Sequence, residues 1–470
     1  MAIETDVCII GGGPSGSAFA IRMTALGYRV VVVERRRFPR PHVGEALTPG
    51  TWPLLEALNV RYQVEEAGFV PAIESLVRWQ DSTTRTVRSA SHEPGLNVDR
   101  GRFDQIVLKA ARVAGAEIVQ PASAGRPRKV ESGWEIPVWF ASKELLVQAH
   151  FVADASGRAL ALGGRREWTS ARTIALCGTW ECPGVGGTQT RVQAAPQGWF
   201  WGAHLPDRSF KAMAFMDRDL MRRRQVSRAS LESFYLELLG TSELMSGLAG
   251  ARLSAPVFAC DATCYAHHDP VGLSFIRLGE AAFAIDALSS AGVQKALQSA
   301  LAASAVAHTL ISGIGDRQAA LEFYRENQRH SVKQHADWAA GYYHENEIHR
   351  DEPFWVMRAK PAAAHQPPVA PDRSLQQLLP YRVRLADEAD VIQSPCIVGS
   401  HVECRAALRH PSLRRPVAYL NGVELIQLLS CFKPGSTLAE VVLKWTERMS
   451  MDSALAVADW LNRRGMLVTT

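Results

Sequence analysis

Six residues, Gly11-Gly-Gly-Pro-Ser-Gly16, constrain the fold of this chain more than any other feature. The apolar run 6–10 before them predicts a buried strand, and the residues after them predict a helix that stops at Gly27. A second apolar strand follows and ends at Glu34. Strand, glycine turn, helix and strand in this order predict a βαβ unit built on a parallel sheet.

The spacing of these glycines is typical of dinucleotide binding. Gly11 permits the tight turn, Gly13 lets a pyrophosphate approach the helix N-terminus, and Gly16 permits close packing of helix on strand. Glu34 ends the second strand, where a carboxylate accepts hydrogen bonds from the adenosine ribose. A glycine turn without a nucleotide is the alternative interpretation.

Composition narrows the class of protein. The 470 residues carry 52 basic and 47 acidic side chains, for a net charge of +5, and the basic runs 35–37 and 222–224 are only three residues long. This pattern favours neither nucleic acid nor a membrane as a partner. Eight cysteines without a C-x-x-C pair predict reduced thiols, as in a cytoplasmic protein. The N-terminus lacks the positive charge of a signal peptide, which also predicts a cytoplasmic location. The uncharged stretch 296–314 predicts a buried helix.

The chain is predicted to hold two domains. In residues 1–358, a helix and strand at 102–119 and a strand at 145–153 extend the first unit, and the strand-rich stretch 170–280, with a helix near 231–248, predicts a sheet that carries substrate. Two long alanine-rich helices are predicted between 292 and 343.

Residues 359–374 contain four prolines and predict a linker. Residues 375–470 then predict a small winged-helix-like α+β domain. Its predicted elements are a strand-turn-strand at 402–420, a helix capped by Asn421, a helix with the capping box Thr437-Leu-Ala-Glu440, a helix at 452–464 stopped by Gly465, and a last strand at 466–469. The helix at 438–448 carries as many acids as bases, which argues against DNA binding.

Residues 1 to about 358 resemble the FAD-dependent monooxygenases that include the flavin-dependent halogenases. The motifs that carry the resemblance are Glu34-Arg35 with Phe38-Pro39-Arg40, His42-Val-Gly-Glu-Ala46, Val98-Asp-Arg100 with Phe103-Asp104, Asp154-Ala-Ser-Gly157, Gly279-Glu-Ala-Ala282, Asp286-Ala-Leu-Ser-Ser-Ala-Gly-Val293, Tyr342-Tyr343, Pro353-Phe-Trp355 and Arg358. The resemblance implies a Rossmann-type FAD-binding domain of the α/β class and FAD as cofactor. The cofactor-binding residues that it implies are Gly11, Gly13, Ser15, Gly16, Glu34, Arg35, Arg100, Gly279, Glu280, Asp286, Gly292 and Val293.

Three departures from the family pattern bear on the reaction. Halogenases of this group carry a lysine near the position of Ala72, but the first lysine of this chain is Lys109. The halogenase motif W-x-W-x-I-P is altered to Trp199-Phe-Trp201-Gly-Ala-His-Leu-Pro206, and the usual Gly-Asp and Asp-Pro pairs read Gly279-Glu280 and Asp286-Ala287. These changes favour a hydroxylating monooxygenase over a halogenase.

Four residues are candidates to line the catalytic site: Glu45, Trp199, Trp201 and His204. Ordinary core packing is the alternative for the two tryptophans, and a structural role is the alternative for His204. The sequence His344-Glu-Asn-Glu-Ile-His349 is interpreted as a solvated segment and not as a metal site, because its histidines are five residues apart and the zinc motif requires four.

The domain at 375–470 resembles the small peptide-chaperone domains of peptide-modification pathways, which take an extended peptide by strand addition. A domain that only packs is the alternative. The combination predicts a monooxygenase that hydroxylates an aromatic residue, tryptophan, in a polypeptide during maturation of a peptidyl quinone cofactor. The predicted partners are a polypeptide such as a quinoprotein subunit precursor, O2 and an external flavin reductase. A monooxygenase of a free or carrier-bound small aromatic, and a non-catalytic flavin-stabilised assembly factor, remain alternatives.

Overall fold

The computed structural model describes residues 2–88, 91–141, 143–181, 187–248, 250–359, 373–420 and 422–470. These residues form two compact units. The first comprises residues 2–313 with 324–359, and the second comprises 314–323 with 373–470. Cys182, Asn421 and most of the predicted linker lie outside the described residues.

The first unit combines α-helices with several β-sheets. Its strands are β1 (Ala2–Ile10), β2 (Val30–Val33), β3 (Ala46–Leu47), β4 (Val70–Ala72), β5 (Glu74–Arg78), β6 (Arg85–Arg88), β7 (Gly95–Asn97), β8 (Glu117–Val119), β9 (Ala122–Ala124), β10 (Arg128–Val130), β11 (Gly133–Phe140), β12 (Lys143–Asp154), β13 (Arg166–Trp168), β14 (Thr173–Glu181), β15 (Gln189–Ala195), β16 (Gly198–His204), β17 (Ser209–Asp217), β18 (Arg252–Leu253), β19 (Phe258–Asp261), β20 (Tyr265–His267), β21 (Val271–Gly272), β22 (Phe275–Arg277) and β23 (Phe283–Ala284). Its helices are α1 (Pro14–Ala25), α2 (Trp52–Ala57), α3 (Arg61–Glu65), α4 (Arg100–Val113), α5 (Arg218–Arg223), α6 (Leu231–Gly240), α7 (Gly292–Ser312), α8 (Arg317–His344, in this unit from residue 324) and α9 (Pro353–Val356).

A mainly parallel sheet forms the nucleotide-binding part of the first unit. Its strands follow the order β10-β11-β12-β1-β2-β8, with β22 parallel to β12. β12, β1, β2 and β8 run parallel, and Cys8 of β1 pairs with both Val152 and Val31. Helix α1 packs against α4 and α7. The predicted βαβ unit is therefore confirmed.

A second, mostly antiparallel sheet occupies the stretch predicted to carry substrate. Its order is β18-β14-β17-β16-β15-β5-β6, and β19 also pairs with β14. Successive side chains of a strand point to opposite faces. On β16, Phe200 packs into a cluster that includes Tyr235 of α6, whereas Trp199 and Trp201 lie on the other face. The sheet thus places two tryptophans on one common surface.

Two long helices and one short helix complete the first unit. The predicted alanine-rich helices are confirmed as α7 and α8, and Gly313 caps the C-terminus of α7 in the left-handed conformation, with φ of 75°. The helix predicted near 231–248 is shorter, because α6 ends at Gly240 and only residues 246–248 form a 3-10 turn. Trp355 of α9 donates its indole N–H to the Ala195 carbonyl at 2.9 Å, which fastens α9 to the large sheet.

The second unit contains short helices and small sheets. Its strands are β24 (Val383–Leu385), β25 (Asp390–Val398), β26 (His401–Arg409), β27 (Tyr419–Leu420), β28 (Val423–Glu424) and β29 (Leu467–Thr469), and its helices are α10 (Leu375–Leu378), α11 (Leu425–Leu429), α12 (Leu438–Trp445) and α13 (Met451–Asn462). The predicted capping box is confirmed at α12, where Thr437 and Glu440 exchange side chain-to-backbone hydrogen bonds.

The second unit contains the predicted strand-turn-strand and a longer hairpin that was not predicted. Within 402–420, Leu408 of β26 pairs antiparallel with Val417, and each residue donates its N–H to the other's carbonyl at 2.9 Å. The longer hairpin joins β25 to β26, with Gly399 in the turn at φ of 59°. Pro395 lies inside β25, and a proline is tolerated in a strand whose N–H would point away from the ladder. Within the described parts of the chain, no helix combines the length and apolar character that crossing a bilayer requires.

Candidate active site

The glycine turn between β1 and α1 shows which glycines the fold itself requires. A Cβ atom on Gly11, whose φ is 110°, would lie 2.3 Å from the Ala155 carbonyl oxygen, and one on Gly16 would lie 2.0 Å from the Gly11 oxygen. A Cβ atom on Gly13 would meet only the Arg40 guanidinium, at 3.8 Å. The fold therefore needs Gly11 and Gly16, whereas the space beside Gly13 is open.

That space belongs to a cavity of about 840 Å³. The predicted residues that line it are Gly11, Gly13, Ser15, Glu34, Arg35, Glu45, Arg100, Trp199, Trp201, Glu280, Asp286, Gly292 and Val293. The other three predicted residues are not among the described lining residues. Gly16 and Gly279 pack behind the wall, and His204 packs edge-on against Phe210, with 4.9 Å between ring centroids.

Glu34 fixes the backbone at the nucleotide end of the cavity. One carboxylate oxygen accepts the Gly12 N–H at 2.8 Å and the other accepts the Arg36 N–H at 2.8 Å. Each carboxylate oxygen has two lone pairs, so the side chain retains acceptor capacity for ribose hydroxyls.

A group of cationic side chains surrounds the middle of the cavity. The lining cations are Arg35, Arg36, Arg40, Arg100, Arg158 and Lys295. The fully buried Asp104 holds two of them in place, with ion-pair distances of 3.2 Å to Arg40 and 3.1 Å to Arg100. Arg100 also donates to the Val43 carbonyl at 2.8 Å and so secures the segment that carries Glu45. Guanidinium groups positioned in this way suit a pyrophosphate.

Two carboxylates and one lysine lie near the start of α7. Tyr343 donates its hydroxyl to Asp286 at 3.1 Å, and burial raises the pKa of Asp286. Burial alone would raise the pKa of Glu280, but the nearby Arg158 and Lys295 outweigh it and hold that pKa below its usual value. Lys295, which sequence reasoning missed, donates to the Phe283 carbonyl at 2.5 Å, and its burial lowers its pKa to about 8.

The part of the cavity beside the large sheet is aromatic and contains the carboxyl group of Glu45. Trp199 stacks on Phe215 with 3.9 Å between ring centroids, and its indole N–H has no partner among the described residues. Glu45 is only 3% exposed and accepts the Gly44 N–H at 2.8 Å. Burial raises the pKa of Glu45, although the Lys211 ammonium, 3.6 Å away, offsets part of that rise.

The donors around the cavity match the parts of FAD. The open side of Gly13 and the N-terminus of α1 would suit a pyrophosphate, and Glu34 would suit the ribose. The Trp199 N–H, which has no partner among the described residues, would be available to another part of the cofactor. The start of α7 offers a second helix N-terminus, at Gly292 and Val293. Among the described residues, no group of three metal-ligating side chains lies close together, and His344 and His349 form no such group.

Comparison with known proteins identifies related sequences and folds. The FAD binding domain family matches residues 4–129, and the Tryptophan halogenase family matches residues 70–375. The chain is 29% identical over 375 residues to "Tryptophan 2-halogenase" of Chondromyces crocatus. This alignment covers 76% of this chain and 70% of that protein.

Two solved structures match nearly the whole chain. The structure of "Peptidyl tryptophan dihydroxylase QhpG essential for tryptophylquinone cofactor biogenesis" has a TM-score of 0.75 at 25% identity and covers 99% of this chain and 100% of its own. That of the flavin-dependent halogenase CmlS has a TM-score of 0.78 at 20% identity and covers 99% and 96% of the two chains. The mixed α/β fold predicted from the sequence is therefore confirmed.

Proposed function

The chain belongs to the tryptophan halogenase family of flavin-dependent oxidoreductases and uses FAD, and from this premise we propose that it hydroxylates a tryptophan residue within a polypeptide. Bound FAD supplies the redox chemistry with O2. The residues of this chain then have to hold the aromatic ring, exclude water and take up a proton.

The Glu45–Lys211 pair at the aromatic part of the cavity is the observation that carries this proposal. Glu45 lines the cavity, whereas Lys211 is not among the described lining residues. Lys211 contacts the Glu45 carboxylate from β17 and donates to the Thr179 hydroxyl at 3.1 Å. A carboxyl group, and not a free ammonium group, therefore faces the substrate. Among the described residues Lys295 is the one lysine that lines the cavity, and its ammonium is bonded to the Phe283 carbonyl.

This arrangement suits hydroxylation of an aromatic carbon. The carbon that gains oxygen must lose its proton, and the Glu45 carboxylate is placed to accept it. Trp199, Trp201 and Phe215 offer flat apolar surfaces against which an indole ring packs. Lys211 acts through Glu45 by favouring its ionised form, so we assign it a positioning role.

A polypeptide substrate is supported by the match to the peptidyl tryptophan dihydroxylase, which extends over both units of the chain. In the second unit, β25 hydrogen-bonds only to β26 among the described strands, so its other edge is available for strand addition. We propose a quinoprotein subunit precursor as the polypeptide partner, and an external flavin reductase as the source of electrons.

Halogenation or hydroxylation of a free or carrier-bound aromatic is the second candidate function. It is favoured by the identity to the tryptophan 2-halogenase and by the fold match to CmlS. The two candidates differ in which atom they add and in which substrate they accept, so one experiment separates them.

The experiment supplies the full-length FAD-loaded protein with a flavin reductase, O2 and bromide, and offers either a tryptophan-containing quinoprotein subunit precursor or free tryptophan. We expect mass spectrometry to find one or two added oxygen atoms in the precursor and no bromine in either substrate. Brominated product, or oxygenation of free tryptophan alone, would refute the proposal.

A matched pair of variants tests the role of Glu45. Glu45→Gln should lower turnover by roughly 100-fold or more, as expected for loss of a general base. Glu181→Gln, which changes an exposed carboxylate at the end of β14, should leave turnover unchanged.

A further inference from the structure

Two cysteines lie side by side where the cavity meets the large sheet. Cys177 is on β14 and Cys260 is on the adjacent strand β19, and their Sγ atoms are 3.9 Å apart. Cys177 is fully buried, whereas Cys260 lines the cavity. A small molecule in the cavity can therefore reach one sulfur atom, and the second lies directly behind it.

We propose that Cys177 and Cys260 form a dithiol site that reduces hydroperoxides inside the cavity. The Cys260 thiolate attacks hydrogen peroxide, the O–O bond breaks, and Cys260 becomes a sulfenic acid while the released hydroxide takes a proton to give water. The Cys177 sulfur then attacks the Cys260 sulfur, the S–O bond breaks, and a disulfide and a second water form. The two sulfurs lose two electrons in total, and the peroxide gains them.

The strands allow the second step. A disulfide bond is about 2.05 Å long, so the two sulfur atoms must approach each other by about 1.9 Å. Among the described strands, the four-residue β19 pairs only with β14, whereas the nine-residue β14 is also held by β17 over its whole length. The short edge strand that carries Cys260 is therefore the one that can move.

The surroundings distinguish Cys260 from the other buried thiols. The hydrogen bond with Cys177 lowers the pKa of Cys260, and so does the nearby Arg158. Burial and Glu45 raise this pKa, but the net shift is downward. Burial raises the pKa of Cys8 to about 12, and that of Cys264 to about 12 as well. Thiolate is the reactive form, so Cys260 is expected to react first.

Hydrogen peroxide forms whenever O2 takes two electrons and two protons from reduced flavin without a substrate. The cavity also presents Trp199, Trp201 and Met213, and oxidation turns an apolar methionine into a polar sulfoxide. A dithiol beside them removes peroxide before these side chains are oxidised. Cellular thiols then reduce the Cys177–Cys260 disulfide to the dithiol by thiol–disulfide exchange. Only this source of peroxide rests on the proposed function, so the test adds peroxide directly.

The test treats the FAD-loaded full-length protein with one equivalent of hydrogen peroxide, without a substrate, and maps its cysteines by mass spectrometry. We expect a Cys177–Cys260 disulfide that dithiothreitol reverses. In the Cys177→Ser variant, dimedone should label Cys260 as a sulfenic acid, and the matched buried thiol Cys264 should stay unlabelled.

Two outcomes would overturn the proposal. One is a wild-type protein in which Cys260 stays reduced while the exposed Cys404 is oxidised. The other is equal labelling of Cys260 and Cys264 in the variant. The wild-type measurement does not depend on how the variant folds, and neither measurement depends on oxygenase turnover.

Discussion

Gly13→Ala should abolish tight FAD binding without unfolding the protein. Gly13 has φ of −70° and ψ of −176°, which any residue adopts, and an added Cβ atom has no neighbour closer than 3.8 Å. Gly13 is the N-cap of α1, and neither glycine nor alanine can form a side-chain capping hydrogen bond there. The substitution should therefore lower the free energy of unfolding by no more than about 1 kcal/mol.

The effect on FAD follows from the position of the methyl group. The first hydrogen bond within α1 runs from the Ser17 N–H to the Gly13 carbonyl, and Pro14 has no N–H, so Ser15 and Gly16 provide the free donors at this end. If the methyl group keeps a phosphate from two such donors, at roughly 1.5–3 kcal/mol for each bond to a charged group, the loss is about 3–6 kcal/mol. The Kd for FAD should then rise by about 10²- to 10⁴-fold.

Fluorescence titration of the apoprotein with FAD measures this Kd, and thermal unfolding of the apoprotein reports on the fold. Gly16→Ala is the control, because its Cβ atom would lie 2.0 Å from the Gly11 oxygen and should lower both the unfolding temperature and FAD binding. A Gly13→Ala protein that binds FAD with the wild-type Kd would refute the placement of the pyrophosphate at this turn.

Two further predictions concern buried charges. Burial raises the pKa of Glu45, so if its carboxylate is the base, turnover should increase with pH over a range above the usual pKa of glutamate. Lys211→Met removes a cation that lowers this pKa, so it should shift the increase to higher pH. Profiles of turnover against pH measure both effects. Burial lowers the pKa of Lys295 from 10.5 to about 8, so between these pH values the unfolded chain binds more protons and the contribution of Lys295 to stability rises with pH. In denaturant unfolding of the apoproteins, the free energy of unfolding of the wild type should therefore rise by about 3 kcal/mol between pH 8 and pH 10.5 relative to that of Lys295→Met, which lacks the titrating group.

Local patterns were sufficient to predict much of the fold. The βαβ unit follows from apolar runs and glycines within 30 residues of each other, and the capping box at Thr437 follows from four residues. The hairpin of β25 and β26 was not predicted, and Pro395 within β25 is a residue that locally disfavours a strand. Its position is tolerated because β25 pairs on one side only among the described strands.

The site was predictable only where its residues lie in sequence motifs. Glu45 belongs to such a motif, but its partner Lys211 lies 166 residues later, in the buried strand β17. Likewise, Cys177 and Cys260 are 83 residues apart and become neighbours only through the pairing of β14 with β19. Contacts of this kind depend on sheet register, which no local pattern specifies.

The second unit is discontinuous in the chain, which limits how it can be exchanged. Residues 314–323 belong to it, and the Asp316 N–H donates to the Val402 carbonyl at 2.9 Å. A Cβ atom on Gly315 would lie 2.4 Å from that same oxygen. A chimaera made by a single crossover between residues 359 and 374 would transfer only the larger of the two segments. Domain grafting among relatives, whether in evolution or in the laboratory, therefore requires residues 314–323 to change together with the C-terminal segment.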